Sequence, residues 1–230
     1  KSKFRRLAYR LVFWSTLRKS KQIIAVSEAT KQGILDNFNI NTDKIKVIHE
    51  GVADHFRKTE NYGIIEQVKS KFNITKPYVF FVGVWRNHKN VEGLVRAFNL
   101  LKEKHKIPHQ LVLGGREDLH YTKVRDEINK SPYKQDIITT GFIKDEELPL
   151  LYQGAEAHII PAFIEGFGLI AIEAQTCGTP VVSSNTSCLP EIIQDSGLFF
   201  DPKNENEMAD QIYKVLNNKK LQEELIQKGF

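Results

Sequence analysis

The chain has 230 residues, 41% of them hydrophobic, with 33 basic and 28 acidic side chains and a formal net charge of +5. That apolar content supports a buried core and excludes wholesale disorder, and no run approaches the roughly 20 apolar residues that span a bilayer. The basic excess is local: residues 1–22 hold eight basic side chains and no acidic one, leaving 25 basic against 28 acidic elsewhere, so no nucleic-acid partner is implied.

In chain order, residues 4–19 have a helical pattern that mixes basic groups with Phe4, Leu7, Trp14 and Leu17. Ile23–Val26 reads as a buried strand, Ser27 as the cap of a helix ending near Phe38, and Ile45–Ile48 as a further strand before a loop, His49 to Val52. Residues 53–77 are polar and weakly patterned and read as a hinge. From Tyr78 onward the chain alternates strictly. Strands are expected at 78–82, 110–113, 137–140, 157–161, 181–184 and 198–200. Helices are expected at 91–104, after Gly115 to about Asn129, and at 146–152, 168–177, 190–193, 205–217 and 220–228. Such alternation with short loops predicts an α/β fold, a Rossmann-like doubly wound parallel sheet, whose ligands bind outside the carboxyl ends of the strands. No signal-peptide pattern opens the chain, and Cys177 and Cys188 form no CxxC or metal-like cluster, so a reducing cytoplasm is expected.

The most informative stretch is Glu165-Gly166-Phe167-Gly168-Leu169-Ile170-Ala171-Ile172-Glu173-Ala174, between a buried strand and a helix stopped by Gly178 and Pro180. Two carboxylates stand eight positions apart with a Gly-Phe-Gly turn after the first. A helix N-terminus offers free backbone N–H groups and partial positive charge, and glycines admit an anion to that backbone. Carboxylates only accept, which suits paired sugar hydroxyls. Phosphate between two hydroxyl-binding carboxylates outlines a nucleotide-sugar site. A second cluster, Gly83-Val84-Trp85-Arg86-Asn87-His88-Lys89-Asn90, also lies between strand and helix; Arg86 and Lys89, three apart, can converge on one anion.

The run from Glu165 to Pro180 resembles the signature of the retaining family 4 glycosyltransferases, which have the GT-B fold of two facing Rossmann-like domains. The resemblance implies that Glu165 holds donor-sugar hydroxyls, Glu173 the ribose hydroxyls, and the backbone of Gly166, Phe167, Gly168 and Leu169 the diphosphate. It implies that Arg86 and Lys89 are the cations that stabilise the leaving diphosphate, which makes Arg86, Lys89 and Glu165 the catalytic candidates. Gly83 lies at a strand end beside them, and Ile143 falls where the backbone meets the nucleobase. No cofactor and no metal is then required, and no Asp-x-Asp motif occurs. Ser187 and Cys188 stand where many relatives have glycines. His158 reads as a satisfied core histidine, and Gly114-Gly115 lacks the third glycine of a dinucleotide fingerprint.

By the same resemblance, residues 78–230 correspond to the C-terminal donor domain and 1–52 to a remnant of the N-terminal acceptor domain. Most of the acceptor domain is then expected to lie outside this chain, and the isolated chain to bind a nucleotide without transferring sugar. The partners implied are a nucleotide-sugar donor, with GDP-mannose favoured over a UDP-sugar, and a glycan or lipid-linked acceptor. Residues 1–22 admit two readings, a cationic helix touching the inner face of a membrane or an interior helix of the acceptor domain. Two other functions stay open: an epimerase of the same architecture, and a non-catalytic nucleotide-sugar-binding module.

Overall fold

The computed structural model describes residues 3–118 and 121–230. It divides into two compact units, Lys1–Gly51 and Val52–Phe230; of the basic segment, Lys1 lies outside the described residues.

The first unit contains α1 (Lys3–Lys19), β1 (Ile23–Ala25), α2 (Glu28–Asn37) and β2 (Ile45–Val47). The strands pair in parallel, Ile23 opposite Ile45 and Ala25 opposite Val47. Ser27 caps α2 as expected, its hydroxyl accepting from the Thr30 N–H at 3.0 Å. Lys44 reaches the end of α1 and donates to the carbonyls of Leu17 and Arg18 at 3.1 and 3.0 Å, satisfying groups that a helix C-terminus leaves open. Phe4, Leu7, Tyr9, Leu11, Val12 and Trp14 of α1 are exposed. Among the described residues, no helix is long and apolar enough to cross a membrane.

The second unit begins with a difference from expectation. Residues 62–71, read as part of a hinge, form helix α3 (Tyr62–Lys71), which packs on α6 (Leu148–Gly154). Only Ile65 and Val68 of α3 are buried, too sparse an apolar stripe to stand out in the sequence.

The sheet contains β3 (Tyr78–Val82), β4 (Gln110–Gly114), β5 (Ile137–Gly141), β6 (Ala157–Ile160), β7 (Val181–Ser184) and β8 (Gly197–Phe200). All neighbours are parallel, in the order β5-β4-β3-β6-β7-β8. Three strands are laid down outward from β3, then the chain returns and lays three more from its other edge. That is the doubly wound order, with its switch point between β3 and β6. Strand β3 explains why it reads as an unbroken apolar run. Val79 and Phe81 face one core with α4 (Val91–His105) and α9 (Glu205–Leu216), while Tyr78 and Phe80 face the other with α6 and α7 (Leu169–Thr176). The remaining helices are α5 (Lys123–Lys130), α8 (Leu189–Ile193) and α10 (Lys219–Gly229).

Candidate functional site

The loops that leave β3 and β6 meet at the switch point. After β3 the chain passes Gly83 and makes a single 3-10 turn, Asn87–Lys89, before α4. Asn90 ends this turn in the left-handed region and anchors it, its side-chain amide donating to the Pro202 carbonyl at 2.8 Å. After β6 the chain runs through Phe163 and Glu165 to Gly168, where α7 starts. The Phe163 N–H donates to the His88 carbonyl at 2.8 Å, tying the two loops backbone to backbone. Beside that link the Lys89 ammonium pairs with Glu165 Oε1. The two side chains are only 18% and 11% exposed, so water screens this pair poorly. Lys89 and Glu165, 76 residues apart, thus occupy one spot.

Arg86 lies at the outer edge of the same loop. Its side chain is 60% exposed, and its Nε donates to Asp118 Oδ2 at 3.2 Å, leaving most of the guanidinium fork facing solvent.

Glu165 is held from behind by the turn that follows β7. Ser187 accepts from the Glu165 N–H at 3.3 Å and donates to the Glu165 carbonyl, and the Cys188 thiol also donates to that carbonyl at 3.3 Å. Ser187 has φ +60°, a left-handed conformation that favours glycine, which accounts for glycine being the residue expected there. Here a serine bears that strain and uses its hydroxyl to fix the Glu165 backbone. Burial, then the Glu165 charge, pushes the Cys188 thiol up to about 11, so it is an unreactive structural donor.

At the start of α7, Gly168 takes φ +89°, and a Cβ there would crowd Leu189. With glycine at the cap, the first turn has no side-chain cap among the described residues. Phe167 is 5% exposed, so its ring offers a ligand no surface. Gly166 is exposed, and a Cβ there would meet no protein atom within 4 Å.

Glu173 lies one turn further along α7 and is half-buried. Its Oε2 accepts from the Tyr152 hydroxyl at 2.8 Å. Burial raises the Glu173 carboxyl above the usual carboxylate range, opposed by the Tyr152 hydrogen bond and by the charge of His55.

Three strand ends close the floor. Gly115 N–H donates to the Gly141 carbonyl at 2.9 Å, and a Cβ on Gly115, which has φ +105°, would overlap the Gly83 carbonyl oxygen. Backbones approach here as no side chain would allow. Ile143 has its side chain buried against Gly114, so any ligand contact is through its main chain. Gly115 and Tyr152 were not singled out as site residues; the double glycine was the available signal for the first, and nothing local marks the second.

His158 is fully buried in β6, with its ring edge-on to Tyr152 at 5.0 Å. It is core, as expected, but among the described residues neither ring nitrogen meets a hydrogen-bond partner. Burial lowers it to about 3, so it is neutral. Among the described residues, no group of three His, Cys, Asp or Glu side chains could hold a metal ion.

The family model described as "Glycosyl transferases group 1" matches residues 64–230, which contain every residue of this site. The chain belongs to the group 1 glycosyltransferases. A second model, "Glycosyltransferase Family 4", matches residues 1–56. The chain is 28% identical over 203 residues to O-antigen chain mannosyltransferase B of Escherichia coli, covering 88% of this chain and 53% of that protein. It is 31% identical over 206 residues to an uncharacterised glycosyltransferase of Methanocaldococcus jannaschii, covering 87% and 52%. This group 1 glycosyltransferase chain therefore spans about half the length of these curated relatives. Among solved structures it superposes on Anabaena HepE, crystallised with UDP-glucose, with a TM-score of 0.84 over 96% of this chain and 61% of that one. Identity there is 17%, so the likeness is one of fold. The fold is the Rossmann-like half of a GT-B architecture.

Proposed function

We propose that Val52–Phe230 is the donor-nucleotide half of a retaining family 4 glycosyltransferase, which moves a hexose from a nucleotide-diphospho-sugar to a glycan or lipid-linked acceptor. The observation that carries this is the Lys89–Glu165 ion pair at the β3/β6 switch point, beside an uncapped helix start. A cation and a carboxylate share one spot, at the place where doubly wound sheets take their ligands. In this reading the donor enters between them. Its diphosphate takes Lys89 and the open fork of Arg86, with the backbone N–H groups from Gly166 to Leu169 on its other side. Its sugar hydroxyls take Glu165, and its ribose hydroxyls take Glu173. The missing side chain at Gly166 meets no need of internal packing, which fits an approach by ligand. Gly83 and the Ile143 main chain line the floor toward the base.

Chemistry follows from charge. As the glycosidic bond breaks, the electron pair stays on the diphosphate oxygen. Arg86 and Lys89 then interact more strongly with the transition state than with the bound donor. Front-face attack by the acceptor, on the side the leaving group departs, gives retention. GDP-mannose is the favoured donor: the Escherichia coli relative is named a mannosyltransferase, and Lys89-Asn90 with Ser184-Asn185-Thr186-Ser187 resembles that branch. Residues 1–52, which the second family model matches, are read as the remnant of the acceptor domain, with α1 either an interior helix of that domain or a cationic helix near anionic lipid at the inner face of a membrane.

Calorimetric titration of the chain with GDP-mannose, UDP-glucose and ADP-glucose, in wild type and Lys89→Ala, tests this. Wild type should bind one nucleotide class, and Lys89→Ala should lose about tenfold or more, the scale of a charge-assisted contact. Equal binding by both proteins would remove Lys89 from the diphosphate site and overturn the reading.

A further inference from the structure

Among the described residues, Tyr152 is the only hydrogen-bond donor to the Glu173 carboxylate. It approaches from a different element, α6, 21 residues upstream. The tyrosine cannot swing away. Its side chain is fully buried, and its ring packs edge-on against Phe80 at 5.4 Å, His158 at 5.0 Å and Phe56 at 6.1 Å. Its carbonyl accepts from the Thr179 hydroxyl at 2.6 Å, beyond the end of α7. Glu173 by contrast is a three-torsion side chain on the half-buried face of a helix. The contact claims Oε2 and leaves Oε1 without a protein donor.

We propose that Tyr152 is a positioning residue for nucleotide recognition. Its hydroxyl pins one oxygen of Glu173 so that the other is presented, already oriented, to a vicinal pair of ribose hydroxyls. This rests on the ribose role given above to Glu173. The hydrogen bond also favours the ionised carboxylate, the form that accepts from hydroxyls. It thereby offsets part of the burial that raises Glu173, as does His55, while the neighbouring Cys177 thiol, raised to about 12, stays neutral. A fixed acceptor loses less rotamer freedom on binding than a free one, which converts preorganisation into affinity.

The test is the ribose preference. Affinities of the chain for GDP and for 2′,3′-dideoxy-GDP are measured by calorimetry in wild type, Glu173→Ala and Tyr152→Phe. Wild type should prefer the ribose form by about tenfold or more, and Glu173→Ala should abolish that preference. Tyr152→Phe should cut the preference by about three- to tenfold, because it removes the orienting contact while leaving the Glu173 carboxylate in place, and leave dideoxy-GDP binding unchanged. A merely structural role would weaken both nucleotides alike, and that outcome overturns the proposal. So does a full preference in Tyr152→Phe when Glu173→Ala has lost it. A preference that survives in Glu173→Ala overturns the ribose assignment itself. If Tyr152→Phe does not fold, 4-fluorophenylalanine at position 152 fills the hydroxyl's space without donating, and the same outcomes apply. 4-Aminophenylalanine returns a donor there and should restore the preference.

Discussion

Breaking the Lys89–Glu165 pair from either side should lower stability alike but move nucleotide binding in opposite directions. The side chains are 18% and 11% exposed, which places the pair nearer the buried limit than the surface one. Removing one partner of a buried pair costs about 3–5 kcal/mol, whereas exposed pairs contribute about 0.2–1. For this partly buried pair, Glu165→Ala and Lys89→Ala should each cost about 2–3 kcal/mol, with a midpoint drop of about 4–12 °C for a domain of this size. The cost arises from the charge left unpaired, so Lys89→Ala combined with Glu165→Ala should cost clearly less than the two single losses added together. Binding should diverge. Glu165→Ala frees Lys89 from a competing carboxylate, so GDP should bind as well as or better than in wild type, while GDP-mannose loses its advantage over GDP. Urea unfolding of the four proteins of the cycle, with calorimetry on each, reads both effects. A coupling energy below about 0.5 kcal/mol, within the additivity expected of independent sites, would refute the pairing. Weaker GDP binding in Glu165→Ala would refute the competition.

Arg86→Lys should recover only part of the GDP affinity that Arg86→Ala loses, because the planar fork of donors is replaced by a point charge; full recovery in calorimetry would show that charge alone matters there. Gly115→Ala should cost at least about 2–3 kcal/mol, since the new Cβ would overlap the Gly83 carbonyl oxygen at a backbone angle of φ +105°. A thermal midpoint within about 2 °C of wild type would contradict the close approach of these strand ends. His158 is depressed from 6.5 to about 3 by burial, so the unfolded chain binds more protons than the folded one between those values. Stability from this residue is present above pH 6.5 and is lost as pH falls toward 3. His158→Phe should flatten that part of the urea-midpoint profile, and an unchanged slope would relocate the acid sensitivity to another group.

Much of this protein was written into short runs of sequence. The doubly wound sheet was legible because strands buried on both faces must be apolar throughout. Tyr78–Val82 and Gln110–Gly114 therefore stand out from the amphipathic helix Val91–His105 between them. The loop from Glu165 to Leu169 was legible for a related reason: a left-handed helix cap demands glycine, and glycine at 168 supplies it. Helix α3 was not, since two buried residues leave almost no period to read. What only the tertiary structure decided were the partnerships between distant segments. Lys89 and Glu165 meet because β3 and β6, far apart in the chain, are neighbours at the switch point. Tyr152 reaches Glu173 because α6 and α7 pack on the same face of the sheet. Ser187 bears a glycine's conformation because its hydroxyl finds the backbone of Glu165. Local sequence encodes what a residue needs from its own turn of chain; which charge meets which carboxylate depends on strand order, and strand order emerges only when the apolar faces are buried together.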